Sequence, residues 1–504
     1  MRKSLLFLLA LLPLMAYAYD AKINGIYYNF SDYDAIVTFQ KIMKVEQEDG
    51  TTANKIVSDY TGDIIIPETV IYDGKKYRVA AIGEYAFNGS NGVTSVTIPK
   101  SVGSIAKAAF LRCELSSVTI PESVKSIGQY AFYECKNLTS VHIPNGVKSL
   151  EYASFVNCSS LTSVTIPESV ESIGEWTFSN CSSLPSITIP EGVKSIGFGT
   201  FQDCTALTTV TIPKSMNSIG DQAFTHCSSL STINIPEGVK EIGNSAFRDC
   251  TALASVTLTN NLTDIESGAF IGCEVLTSIT IPKSVTNIGV EVFGNCYRLE
   301  SITVEEGNTV YDSRGNCNAI IETATNTLIS GCQNTVIPES VTTIGASSYW
   351  GVKGLTKLNL PDNLTTIDNG AFNACTGLTS ITIPEKVDSI GWGAFQFCEN
   401  LTEVYCLAAN VPRTHIDAFW GVPYASITLY VPASAIDKYK ATEPWSKFGN
   451  ILPLTTPVND ILCDELTAGS QSYYDLQGRR IGNKNRGLNI IRHPDGTSRK
   501  VLLK

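Results

Sequence analysis

Apolar and polar positions alternate over short stretches of this chain, and the alternation restarts every 23 residues. Leu138 to Asn157, LTSVHIPNGVKSLEYASFVN, is followed one period later by Leu161 to Asn180, LTSVTIPESVESIGEWTFSN. The central aromatic recurs at Phe87, Phe110, Phe132, Phe155, Phe178, Phe201, Phe224, Phe247, Phe270 and Phe293. Each step is 23 residues except that from Phe110 to Phe132, which is 22. The series resumes at Tyr349, Phe372 and Phe395, with a further candidate at Phe419. Self-similarity at a fixed period of this length predicts a solenoid.

Each position of the unit has a physical task. Val141 and Ile143 alternate with polar neighbours, which predicts a short strand with both facing inward. Pro144 removes a backbone donor and ends that strand. Val147 and Leu150 form a second inward pair, and most other units read Ile-Gly there, as in Ile173-Gly174, where glycine suits a tight corner. The Ala-Phe or Thr-Phe pair then plugs the interior. One coil cannot bury its own apolar edge, so a continuous core requires stacking, here of about 13 coils over ~60 Å.

The expected fold is a repeat solenoid, mainly β with short helical or 3-10 turns. Residues 81–424 form the array, with a β-rich cap at 19–80 and another at 425–454. In the first cap, Ile26–Phe30 and Ala35–Phe39 are expected strands, as are Asp63–Pro67 and Tyr77–Ala80. An array exposes an apolar end and needs such a cover. In the second cap, Ala425–Val431 reads as a strand and Ala433–Thr442 as a short helix. Residues 455–472 read as a linker. Residues 473–504 carry a basic β-module, with strands expected at Tyr474–Ile481, Gly487–Arg492 and Ser498–Lys504.

The period fails between about residues 303 and 338. Val304 and Ile337 hold equivalent strand positions but lie 33 residues apart, an excess of 10. Asn318–Thr323 and Thr327–Ser330 suggest a hairpin around Ala324-Thr325. That register places Cys317 opposite Cys332 and makes them the expected disulfide pair. The insertion either alters curvature, projects a loop, or is a lengthened repeat.

The chain carries 37 Lys and Arg against 48 Asp and Glu, a net charge of −11. This argues against nucleic acid as a partner, since phosphate binding needs a basic stripe. Residues 1–18 read as an export signal: Arg2 and Lys3, an apolar run from Leu5 to Met15, then Ala16-Tyr17-Ala18. The run is too short to span a membrane, and no later stretch reaches the roughly 20 apolar residues a helical span requires. Fifteen cysteines in an exported chain would ordinarily suggest a disulfide framework. Their spacing argues otherwise. Cys113, Cys135, Cys158, Cys181, Cys204, Cys227, Cys250, Cys273, Cys296, Cys375 and Cys398 all follow the repeat aromatic by three residues. They predict one buried, reduced thiol per coil.

The phrase L-x-x-V-x-I-P-x-x-V-x-x-I-G-x-x-A-F-x-x-C resembles the BspA-type leucine-rich repeat of bacterial surface proteins across roughly Ala81 to Tyr424. The resemblance implies a cell-surface or extracellular protein that adheres to host or microbial macromolecules without catalysis. The basic C-terminal module resembles short β-modules of exported Bacteroidetes-type proteins, some of which act as sorting signals. Periodicity alone reaches only the solenoid.

Residue patterns offer no active site. No HExxH, GxSxG, P-loop, GxGxxG before a helix, or CxxC occurs. The cysteine column supplies one ligand per coil rather than a cluster of four, so neither a metal nor a cofactor is expected. Ser and Thr line the outward strand positions, as at Ser163 and Thr165, but Thr suits a pleated, half-exposed surface without any ligand. The candidate binding surface is therefore taken from positions where the copies disagree: Tyr85, Tyr130, Tyr152, Trp176, Phe198, Trp392 and His142. Exposed Tyr and Trp anchor interfaces and suit sugar stacking; they also cover coil edges. The expected partners are extracellular proteins, or alternatively glycans captured at the surface.

Overall fold

The structure is a computed structural model that describes residues 19–46 and 52–454, together with the backbone of Ser472–Tyr474, Arg480–Ile481, Gly487–Arg492 and Ser498–Leu503. The expected export signal and, apart from Ser472, the linker lie outside the described residues.

Successive coils stack in parallel, as a fixed period demands. One side of the array is a continuous sheet of 14 strands, running from the N-terminal hairpin to Asn287–Ile288. Its rungs are the two-residue strands at the Ser-Ile positions, such as Ser172–Ile173 and Ser195–Ile196. The expected Ser-Val-Thr strands pair only in small separate sheets, for example Ser163–Thr165 on Ser140–His142 in register. The Ile-Gly glycine also has a different basis from the one expected. Its φ is not positive; a Cβ at Gly174 would stand 2.8 Å from Tyr152 N, and one at Gly128 2.7 Å from Lys107 N. Close approach of the preceding coil's backbone, rather than corner geometry, favours glycine there.

Left-handed geometry occurs instead on both sides of the aromatic. Two residues before it, Tyr130, Ala153, Trp176 and Gly199 have φ near +57°, and two residues after it Asn157, Asn180 and Asp203 do. The backbone of this corner forms a ladder of its own. Tyr130, Phe132 and Glu134 N–H donate to the carbonyls of Tyr152, Ser154 and Val156 in the next coil, at 3.1, 2.8 and 2.8 Å.

The interior is an aromatic column. Phe87 to Phe293 stack coil on coil with centroids 5.0–5.8 Å apart. Tyr60 closes the N-terminal end against Phe87 at 4.5 Å; its hydroxyl donates to Thr38 O and accepts from Tyr27 N–H. The second run, Tyr349, Phe372, Phe395 and Phe419, is also stacked, and Trp445 and Phe448 cover its last ring edge-on. Each column cysteine is buried and free. From Cys135 onward the thiol donates to the carbonyl of the previous coil's aromatic, as from Cys158 to Phe132 O and from Cys204 to Phe178 O, both at 3.2 Å, while Cys113 donates to Ser90 O.

At the N-terminus, Ile26–Phe30 pairs antiparallel with Asp34–Thr38, and Thr69–Tyr72 with Lys75–Ile82 around Asp73-Gly74. A further hairpin, Lys41–Glu46 on Thr52–Val57, was not anticipated. At the C-terminus, the expected helix over Ala433–Thr442 is a 3-10 turn, Ala433–Ala435, leading into a short α-helix, Ile436–Lys440. In the basic module the expected strand over 474–481 is instead two, Ser472–Tyr474 and Arg480–Ile481, paired antiparallel.

The irregular unit is built into the second sheet. Ala319–Glu322 and Thr327–Gly331 form the hairpin, which pairs on with Thr343–Ile344. The expected Cys317–Cys332 disulfide is not present; both thiols are free. Near the turn the anticipated register holds, with Ile321 opposite Leu328, but it then shifts so that Ile320 opposes Ser330. The extra residue, Ile329, puts Cys332 in line with Asn318. A one-residue slip turns a side chain to the other face. Cys332 therefore packs with Ile320 in the N-terminal core, while Cys317 packs with Ala319 and Ile321 in the C-terminal core.

Candidate functional site

The corner ladder explains which candidate aromatics meet. The left-handed residue two before the column aromatic bonds to the residue three before it in the next coil. Tyr130 N–H thus donates to Tyr152 O, and Trp176 N–H to Phe198 O at 2.9 Å. Both bonded positions are aromatic in these two places. The Tyr130 and Tyr152 rings meet edge-to-face at 5.4 Å, and those of Trp176 and Phe198 are tilted at 5.0 Å. All four side chains are half-buried.

Tyr130, Tyr152 and Trp176 line one open groove of about 470 Å³ that crosses adjacent coils. Asn157, Asn180, Gln202 and Asp203 line it as well. Asn180 Nδ2 donates to Asn157 Oδ1. Asp203 is engaged by His226, whose Nδ1 lies 2.8 Å from Oδ1, and the same ring reaches Asp249 at 3.3 Å. Burial raises the Tyr152 phenol above its ordinary value, and the neighbouring Tyr130 adds to the shift.

Tyr133 completes the aromatic wall, 5.8 Å from Tyr130, and was missed in the sequence. It immediately follows the column aromatic Phe132, where most copies carry a different residue type; that departure was the available signal. The other candidates stand apart. Tyr85 and Trp392 face Lys107 and Gly370 at their bonded positions, so neither has an aromatic partner on the ladder. Trp392 is 48% exposed and lies in the coil of Phe397, which meets Trp420 edge-on at 4.9 Å. His142 is on the separate Ser-Val-Thr face, exposed, with Nε2 3.5 Å from Glu122.

Aromatic substitution at the left-handed position is unusual. Sister coils fill it with glycine, as at Gly199, Gly268, Gly370 and Gly393, or with smaller or polar residues such as Ala108, Ala153, Gln222 and Ser245. A bulky side chain at positive φ costs energy unless its surroundings hold it. Among the described residues, no group of three or more His, Cys, Asp or Glu side chains is arranged to hold a metal, and no helix is long and apolar enough to cross a membrane.

The model of the BspA type leucine-rich repeat region matches residues 75–185, 173–300 and 326–440. The chain belongs to the BspA-type leucine-rich repeat family. Among solved structures, a leucine-rich repeat protein from Bacteroides ovatus is 26% identical, with TM-score 0.53 over 77% of this chain and 95% of that one. A leucine rich cell surface protein from Faecalibacterium prausnitzii is 23% identical, with TM-score 0.40 over 87% and 95%. A leucine-rich repeat protein from Eubacterium ventriosum is 19% identical, with TM-score 0.40 over 78% and 94%. No curated protein matches the chain. The BspA-type array thus accounts for the stacking, while the aromatic groove arises where its copies depart from one another.

Proposed function

We propose that this protein is an exported, surface-displayed binding protein that adheres to extracellular macromolecules and performs no catalysis. One observation carries the reading: Tyr130, Tyr152 and Trp176, from three adjacent coils, are partly exposed along one groove. Aromatic side chains of this kind supply a large contact area at low entropic cost and dominate interface energetics. The shape is an open, shallow track across coils, which suits an extended polymer better than a small reactant enclosed in a pocket. The exposed Phe397–Trp420 pair gives a second aromatic station further along the array, so one long ligand could be held at two points.

Beads coated with the protein should bind immobilised matrix and mucin glycoproteins, and the Tyr152→Ala/Trp176→Ala pair should lower retention at least tenfold. Equal retention by the variant, at equal folded content by circular dichroism, would sink the reading. Surface display is assigned to residues 473–504. Removing them should release the array into the medium; undiminished surface labelling would exclude that role.

A further inference from the structure

The groove's chemistry points to one class of occupant, and this step rests on the binding role just proposed. We propose that the groove lined by Tyr130, Tyr133, Tyr152 and Trp176 binds a neutral glycan chain, its pyranose rings packing against the aromatic wall and its hydroxyls bonding to Asn157, Asn180 and Gln202.

Three features carry this assignment. The first is the pairing of surfaces. The lining combines aromatic rings, Tyr130, Tyr133, Tyr152 and Trp176, with the amides of Asn157, Asn180 and Gln202. A pyranose presents the same two faces: axial C–H bonds attracted to a π-cloud, and a rim of hydroxyls. A primary amide offers a donor and an acceptor on neighbouring atoms, which matches a pair of vicinal hydroxyls. The second is charge. The protein carries a net charge of −11, yet the groove's carboxylate, Asp203, is already paired with His226. Such a groove repels an acidic chain and offers little to a basic one. An uncharged polyol meets no such repulsion and exchanges its bonds to water for bonds to the amides.

The third feature disfavours a polypeptide. Peptides commonly bind exposed sheet edges by adding a strand, with main-chain hydrogen bonds supplying the affinity. At this corner the Tyr130, Phe132, Trp176 and Phe178 N–H groups already donate to the next coil's carbonyls. No edge is open there. Recognition must run through side chains, and the lining is led by rings and amides. The alternation along the corner also suits a chain ligand. Rings two and three residues before the column aromatic recur coil by coil, so successive sugar residues meet successive aromatic faces.

The test is a titration of the whole chain with neutral oligosaccharides of graded length, followed by calorimetry and by saturation-transfer NMR. Wild type should bind, more tightly as length grows from two to four residues, with little change between low and high salt. Trp176→Ala and Tyr152→Ala should each weaken binding by about tenfold or more. Because Trp176 is half-buried, Asn180→Gly provides a second variant: it removes an exposed amide, tolerates the left-handed backbone at φ +57°, and should weaken binding several-fold. Thr165→Ala, an exposed position on the separate Ser-Val-Thr strands, should leave the affinity unchanged. Absence of binding to any neutral glycan, or binding indifferent to both the aromatic and the Asn180 variants, overturns the proposal. If glycans fail while deglycosylated matrix protein still binds through Trp176, only the glycan assignment falls and the adhesive role stands. If neither binds, both fall.

Discussion

The indole of Trp176 rests against Gly199 of the following coil: a Cβ on Gly199 would come within 2.9 Å of the ring's Cε3. Gly199 is itself left-handed, at φ +58°. Two constraints therefore coincide on one residue, backbone conformation and the seat of an aromatic wall. Gly199→Ala should cost about 1 kcal/mol or more of stability and also displace the indole. Gly89→Ala is the matching control, since Gly89 has φ +66° but open space where a Cβ would stand. Both variants should lower the melting temperature, but only Gly199→Ala should shift tryptophan emission and weaken groove binding. Identical emission and affinity for the two would show that the indole does not depend on that contact.

The cysteine column gives the protein a specific alkaline weakness. Burial pushes the Cys113, Cys204, Cys296 and Cys398 thiols up to about 12, from an ordinary value of 9.0. Between those values the folded state keeps protons that the unfolded chain gives up. Stability is then fully present below about pH 9 and falls as pH rises toward 12, each such thiol contributing a slope of about 1.4 kcal/mol per pH unit. Urea midpoints measured from pH 7 to 11 should be flat and then drop steeply. Cys204→Ala should reduce the alkaline slope while lowering stability at pH 7. A slope unchanged by this substitution would place the titration elsewhere. Thiol-modifying reagent at pH 8 should likewise react with the column only after denaturation.

Tyr349 begins the second aromatic run and carries a hydroxyl that the column does not need. Its Oη is buried without a hydrogen-bond partner, and its ring occupies the space a Cβ on Gly331 would need. The corner bypasses the irregular unit here. Asn295 N–H donates directly to Trp350 O at 2.9 Å, and Ser347 Oγ donates to Glu291 at 3.1 Å. An unsatisfied buried hydroxyl costs about 1–3 kcal/mol. Tyr349→Phe, which restores the residue of most other rungs, should raise the urea midpoint. Destabilisation would mean that the hydroxyl is satisfied in solution.

Much of this architecture was legible because stacking repeats the same demand at every coil. Phe178 and Cys181 reveal their column simply by recurring. What repetition cannot convey is which contact a conserved-looking position serves. Gly174 reads as a corner residue, yet its reason is the backbone of Tyr152 in another coil, a relationship absent from any single unit. The positive φ at Tyr130 and Trp176 was hidden for the opposite reason, because bulky residues mask what Gly199 and Gly268 would have signalled. The Cys317–Cys332 pairing failed on one residue, since a bulge at Ile329 has no local sequence signature and reverses the face of everything beyond it. The groove was half-legible. Tyr130, Tyr152 and Trp176 stood out as disagreements between copies, but their meeting depends on the backbone ladder that joins one coil to the next.

The same ladder sets how the array should fail. Phe201 is fully buried and stacks on Phe178 at 5.7 Å and on Phe224 at 5.3 Å, so it belongs to two interfaces at once. In a quasi-one-dimensional protein, stability is a sum of unit terms and nearest-neighbour interface terms. Phe201→Ala removes ring packing from both interfaces and leaves a cavity, a loss of about 3–5 kcal/mol. The damage cannot spread sideways, because each coil touches only its neighbours. Folding should therefore split at that coil, with units on either side retaining their own stacked cores. Urea unfolding of the variant followed by hydrogen exchange should show protection lost first in the coils of Phe178, Phe201 and Phe224, while Phe87 and Phe372 exchange at wild-type rates. Uniform loss of protection from Phe87 to Phe419 would show instead that the array unfolds as one cooperative body, and that the two core clusters on either side of the Ala319–Gly331 hairpin are not energetically separate.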